Sequence, residues 1–84
     1  MTRQETHDKL LTIFRDEFEI ENPGVDDDLR DVHEFDSIDA IELLREIEIM
    51  LRTELTQEEK KEAMEIRTIS HILDYVETMA ERRA

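Results

Sequence analysis

The chain contains no cysteine, so it can form no disulfide framework, no thiolate metal site and no thiol nucleophile of its own. Glycine and proline occur once each, and with Glu, Leu, Ile, Arg and Lys abundant the composition favours helix over sheet. Long apolar runs are missing too, which excludes a transmembrane span. The opening Met-Thr-Arg-Gln-Glu-Thr-His-Asp lacks the apolar stretch of a signal peptide, so a cytoplasmic location is the expectation. Basic residues are scarce: 11 against 24 acids, a formal net charge of −13. Phosphate backbones are held by Lys and Arg, so this balance argues against direct nucleic-acid binding. It predicts attraction to basic partner surfaces, with faster encounter at low salt, although such charges also keep a small domain soluble.

What is present fits one domain, residues 1–84, with no room for two. Only 38% of the residues are hydrophobic, which allows a thin core and favours a site displayed on the surface over an enclosed catalytic cleft. Four helical segments can be read. The first opens on the capping-box pattern Thr2-Arg-Gln-Glu5, carries Leu10, Leu11, Phe14 and Phe18 at helical spacing with Ile13 beside them, and should end near Ile20, ahead of Asn22-Pro23-Gly24. A long acidic connection follows over 21–36, with Val25, Leu29, Val32 and Phe35 expected to pin it to the bundle. So long a loop in a small domain is often functional. The second helix should run from Asp36, a good N-cap, to about Leu51, with Asp39 favouring its positive end. A short third helix begins at Thr56-Gln-Glu-Glu59, another capping box. The last spans about Thr68 to Ala80, with Ile69, Ile72, Leu73, Val76 and Met79 on one face. Four single-striped helices make a small all-α bundle.

Ser37 falls just inside the start of the second helix, after the polar loop, so its hydroxyl should face solvent. Free backbone amides and the helix dipole there favour an attached anion such as a phosphate. Serine is also common at helix starts for purely structural reasons, and spacing alone favours that plainer explanation.

The surrounding residues change the balance. The run Asp36-Ser37-Ile38-Asp39-Ala40-Ile41-Glu42-Leu43 resembles the acyl carrier protein signature, Asp-Ser-Leu followed by an acidic amphipathic helix. Ile66-Arg67-Thr68-Ile69 leading to Asp74-Tyr75-Val76 is similar to the opening of that family's last helix. With the first helix and acidic loop, the resemblance covers nearly the whole chain. It implies a four-helix carrier bearing 4′-phosphopantetheine, drawn from coenzyme A, on the serine that matches Ser37, with acyl groups held as thioesters on the arm. The absent cysteine is compatible, because the reactive sulfur belongs to the cofactor. The resemblance also implies docking of a phosphopantetheinyl transferase and of acyl-transferring or acyl-ligating enzymes, through basic patches, onto acidic positions matched here by Asp36, Asp39, Glu42 and Glu48.

Departures from the family pattern point to a specialised member with dedicated partners. Glu34-Phe35 stand where Gly-Ala is usual, Arg45 replaces a usual apolar residue, and Ile49-Met50 stand where acids are common. At about 100° per residue, Ile41, Leu44, Ile47 and Leu51 form the expected core stripe, and Ile38, Glu42, Arg45 and Ile49 fall on the opposite side. Apolar ends on a charged strip suit a recognition patch, although isolated exposed apolar residues are normal on soluble proteins. The whole helix carries Asp36, Asp39, Glu42, Glu46 and Glu48 against Arg45, so the partner-facing set is Asp36, Ile38, Asp39, Glu42, Arg45, Glu46, Glu48 and Ile49.

Asp26, Asp28 and Asp31 lack the Gly and terminal Glu of an EF-hand loop, and His7, His33 and His71 have no metal-ligand spacing, so no metal site is expected. His33 reads as a solvated loop histidine. The expected protein is a monomeric, non-enzymatic acyl carrier of fatty-acid, lipid or polyketide-type biosynthesis, whose interior can shelter part of an acyl chain. The alternatives are an aminoacyl or peptidyl carrier, and an acidic helical interaction module with no prosthetic group.

Overall fold

A computed structural model describes residues 2–83, so Met1 and Ala84, the two ends of the expected domain, lie outside the described residues. The first helix, α1 (Arg3–Phe18), begins where the capping box forecasts. Thr2 Oγ1 accepts the Glu5 N–H and a Glu5 carboxylate oxygen accepts the Thr2 N–H, both at 3.1 Å. Thr6, Leu10 and Phe14, one turn apart, make its buried line, with Ile13 and Phe18 packed at the flanks. Glu19 ends the helix with φ 56°, and the Ile20 N–H bonds back to the Phe14 carbonyl at 2.9 Å.

The long connection is not wholly irregular. It holds a single helical turn, α2 (Leu29–His33), capped by Asp28, whose Oδ1 accepts from the Arg30 and Asp31 N–H groups at 3.0 and 3.1 Å. The helical elements thus number five among the described residues rather than four, while the all-helical bundle stands as expected. Leu29 and Phe35 pin the connection into the core. Val25 and Val32, expected to do the same, are 43% and 59% exposed. Backbone bonds replace them: the Leu29 N–H donates to the Arg67 carbonyl at 2.8 Å, and the Ser70 N–H donates to the Val25 carbonyl at 3.0 Å.

The remaining helices are α3 (Ser37–Leu51), α4 (Gln57–Ala63) and α5 (Ile69–Arg82). Thr56 forms the expected capping box with Glu59, and Thr68 Oγ1 caps α5 through the His71 N–H at 3.1 Å. All five α5 residues assigned to its inner face, Ile69, Ile72, Leu73, Val76 and Met79, are buried. α1 packs against α3 and α5, and α3 against α4. Their apolar stripes meet in one core that includes Leu10, Phe14, Leu29, Ile47, Ile69 and Ile72, whose removal from water is the main favourable contribution to folding.

The core stripe of α3 is rotated from the sequence expectation. Its buried residues are Ala40, Leu43, Leu44 and Ile47, at the i, i+3, i+4, i+7 positions of one helix face. Ile41 is 56% exposed and Leu51 only half-buried. Counting the β-branched Ile41 into the stripe and leaving out the small Ala40 produced the error.

The bundle is closed at its other end by a carboxylate. Glu59, buried in α4, meets the Arg83 guanidinium side by side, Oε1 to Nη2 at 2.6 Å and Oε2 to Nη1 at 3.1 Å. Such a paired fork is stronger than a single charged contact. Arg83 also donates to Thr53 Oγ1 at 2.8 Å and to the Glu54 carbonyl at 3.1 Å. One side chain thereby ties the α5 end to α4 and to the α3–α4 loop. The Arg83 bonds, helped by the Thr56 N–H, hold the Glu59 carboxyl down at about 2. The neighbouring Tyr75 hydroxyl donates to the Glu59 carbonyl at 2.8 Å, and burial, with Glu59 second, pushes it up to about 12.

Candidate functional site

The centre of interest is the corner where the α2 turn meets α3. Asp36 is the N-cap of α3 in extended conformation, and Asp39 stands at its third position. The two carboxylates exchange bonds: Asp36 Oδ1 accepts the Asp39 N–H at 2.9 Å and Asp39 Oδ2 accepts the Asp36 N–H at 3.1 Å. This reciprocal box sets the point at which the helix begins. Ser37 is therefore the first helical residue, exposed to solvent. The Ala40 N–H is taken by the Asp36 carbonyl, and the Asp39 N–H by the box. Among the described residues, the Ser37 hydroxyl and the N–H groups of Ser37 and Ile38 have no hydrogen-bond partner within the chain.

That arrangement has a chemical meaning. A free hydroxyl on a fixed helix start is open to an incoming reagent from the solvent side. The two free amides add the partial positive charge of the helix end, which suits a phosphodiester linked to that oxygen. Asp36 and Asp39 oppose an anion, but each has one oxygen committed to a backbone amide. The residues present thus fit a phosphate-linked group on Ser37.

The corner is held from behind by aromatic rings. Phe35 is buried and lies against Phe14 and Phe18, with centroids 5.4 and 5.3 Å away, stacked on the first and edge-on to the second. Glu34, which caps the α2 turn, adopts φ 55°, a left-handed conformation at home in glycine. The two residues that depart from the Gly-Ala pattern thus differ in kind, since Phe35 contributes packing and Glu34 carries strain. Below them, the Asp27 carboxylate accepts the Gly24 N–H at 2.9 Å and meets His33 Nε2 at 3.2 Å. These two contacts, the amide first, hold the Asp27 pKa below the usual carboxylate range. His33 is half-buried rather than solvated. Of the loop aspartates, Asp28 is engaged as the α2 cap, and no group of three or more metal-ligating side chains occurs among the described residues.

The outward face of α3 carries Ile38, Glu42, Arg45 and Ile49, all exposed, with Ile38 at 71% and Ile49 at 69%. Ile41 joins Ile38 near the serine, an exposed apolar residue that the sequence reading placed in the core. The signal for it was present in the i, i+3, i+4 series starting at Ala40. Glu46 stands apart, lining an open groove against α1 with Lys9, Ile13, Ile49 and Met50. Glu48 is turned to the loop, where its Oε2 accepts the Leu55 N–H at 2.8 Å.

The family model described as the phosphopantetheine attachment site matches residues 8–76. No curated protein and no solved structure gives a match to the chain. No described helix is long and apolar enough to cross a membrane.

Proposed function

Since the chain belongs to the phosphopantetheine attachment-site family, whose members carry covalently attached 4′-phosphopantetheine, we propose that it is an acyl carrier protein loaded on Ser37. The observation that carries the assignment is the exposed Ser37 hydroxyl, free of internal bonds, at the first position of a helix whose start is fixed by the Asp36–Asp39 box. When bound, the arm supplies a terminal thiol on which an acyl group travels as a thioester. The chain's own contribution is positioning: it fixes the attachment point, displays a docking face beside it, and keeps the cargo at high local concentration for partner enzymes. It performs no chemistry itself.

Carrier domains engage a phosphopantetheinyl transferase and acyl-handling enzymes. Here the docking face is built from Asp36, Ile38, Asp39, Glu42, Arg45 and Ile49, with Ile41 added beside the serine. Glu46 belongs to the groove side and contributes at the margin. Glu48 has a structural role in holding Leu55, which argues for removing it from the recognition set. The carrier works as a cytoplasmic monomer over residues 1–84, and its unusual Arg45 and Ile49 favour a specialised biosynthetic partner over a generic fatty-acid synthase.

The test is intact-mass measurement after incubation with coenzyme A and a phosphopantetheinyl transferase. The wild type should gain one arm, and Ser37→Ala should fold normally and gain none. A Ser37→Ala variant that still takes the arm, or a wild type that never does, overturns the assignment.

A further inference from the structure

Few large apolar side chains are left exposed in this molecule, and Ile38, Ile41 and Ile49 among them all stand on α3. Exposed apolar residues gathered on one element mark a surface that meets another protein. Ile38 and Ile49 close the two ends of the outward strip, and Glu42 and Arg45 lie between them, both exposed. Arg45 stands two helical turns from Ile38, about 10 Å along the axis, and one turn from Ile49. The middle of the strip is thus charged and of mixed sign.

The Arg45 guanidinium is unclaimed. Among the described residues no carboxylate lies within ion-pair distance of it, and it makes no hydrogen bond. Glu42 and Glu48 stand one turn away on the same helix, where pairing is ordinarily open to them. Glu48 is diverted to the Leu55 N–H, and Glu42 forms no ion pair either. Other arginines are engaged within the chain: Arg3 holds Asp74 and Glu77, Arg30 the Met64 carbonyl, and Arg82 and Arg83 hold Glu59. Arg52 and Arg67 are free as Arg45 is, but neither lies on the outward strip. In a chain of net charge −13, an uncompensated cation gives the centre of this strip a sign opposite to the rest of the molecule.

A partner that covers the strip takes Arg45 out of water. A guanidinium left unpaired beneath an interface is costly, so the covering surface must supply an acceptor, and the planar donor set matches a carboxylate best. A lysine or arginine in the same place would meet a like charge, and like charges opposed across an interface turn partners away.

Resting on the carrier reading above, we infer that Arg45 is a specificity-determining residue, admitting enzymes that place a carboxylate against the middle of α3 and rejecting those whose docking patch is basic throughout. The partner surface is accordingly mixed, with apolar sockets for Ile38 and Ile49, a cation opposite Glu42 and an acid opposite Arg45. Attraction by net charge, which any basic surface satisfies, steers the encounter, and Arg45 does the choosing.

The experiment measures kcat/KM for arm transfer from coenzyme A to wild type, Arg45→Lys, Arg45→Met and Arg45→Glu, using a phosphopantetheinyl transferase with a basic docking patch. It is repeated with transferase variants in which the lysines and arginines of that patch are changed to glutamate one at a time. With the parent transferase, Arg45→Glu should be loaded about tenfold faster than wild type, with Arg45→Met between them and Arg45→Lys matching wild type. One of the transferase variants should reverse that order, and the reversal should fade as salt rises. Additive effects, with no transferase variant reversing the order, would overturn the inference while leaving the carrier assignment intact. Failure of the wild type to load with any of the transferases would instead overturn the carrier assignment, and this inference with it.

Discussion

The Phe35 ring stacks on Phe14 with centroids 5.4 Å apart, so the residue two before the candidate serine is a piece of the hydrophobic core. That contact couples the start of α3 to the middle of α1. Truncating it in Phe35→Ala should cost about 3–5 kcal/mol, a large part of the stability of any small domain. Phe35→Leu should cost less than about 1.5 kcal/mol. Urea unfolding of the two variants gives both numbers, and equal, small losses would mean that the aromatic cluster is not holding the corner.

The Asp36–Asp39 box separates two roles of Asp36. Asp36→Ala removes a cap and should destabilise by about 1 kcal/mol. Asp36→Asn keeps the cap but drops the charge, so its stability should match the wild type. If the acid also attracts a basic partner, arm transfer to Asp36→Asn should slow, and the difference should fade as salt rises. Stopped-flow or mass-resolved kinetics across a salt series reads this directly. Transfer rates that are indifferent to both charge and salt would leave the acid with capping alone.

Strain at Glu34 gives a third expectation. A non-glycine residue in the left-handed region is disfavoured by roughly 1–2 kcal/mol, and glycine returns about 0.4–1 kcal/mol of that through the greater freedom of the unfolded chain. Glu34→Gly should therefore raise stability by about 0.5–1 kcal/mol, seen as a higher melting temperature. Glu34→Val, β-branched at the same backbone angle, should lower it.

Arg45 and Ile49 stand exposed on the outer side of α3, and exposed substitutions away from caps and buried networks change stability by less than about 0.5 kcal/mol. Ile49→Glu and Arg45→Met should leave unfolding nearly untouched and alter transfer to the natural partner enzyme. A large stability loss in Ile49→Glu would mean that the groove it shares with Ile13 and Met50 is structurally closed in solution.

Acid titration isolates the Glu59–Arg83 fork. The folded carboxyl lies at about 2, below its ordinary 4.5, chiefly through the Arg83 hydrogen bonds. The unfolded chain therefore binds that proton more readily, and stability from this group is complete above about pH 4.5 and lost as pH falls toward 2. Compared at each pH, the wild type should melt higher than Glu59→Gln at neutrality, with the gap closing between pH 4.5 and 2. A gap that persists at pH 2 would show that packing, and not charge, accounts for the difference.

How much of this was legible in the residues depends on how local each cause is. The starts of α1, α3, α4 and α5 were readable because an N-cap and its partner lie within three residues of one another. So was the place of Ser37 as the first residue of α3, fixed by the Asp36 cap before it. The phase of α3 was misjudged because hydrophobicity alone does not distinguish Ile41 from a core residue. The deciding sign was the small Ala40, which with Leu43, Leu44 and Ile47 completes an i, i+3, i+4, i+7 face that leaves Ile41 outside it. The α2 turn was missed because five residues carry little periodicity, although Asp28 followed by Asp31 was a usable sign. The Arg83 fork was invisible, since it joins positions 24 residues apart and nothing local announces the pairing.

The two backbone bonds from Leu29 to Arg67 and from Ser70 to Val25 bear on how the molecule opens. Proteins ordinarily expose their loops first, in small excursions far below the free energy of global unfolding. Here the segment leading to the serine corner is stitched to the entry of α5, so it cannot swing free without releasing the start of the last helix as well. The two regions, some forty residues apart along the chain, behave as one cooperative unit, and the slow-exchanging amides of Leu29 and Ser70 should report a single shared opening event.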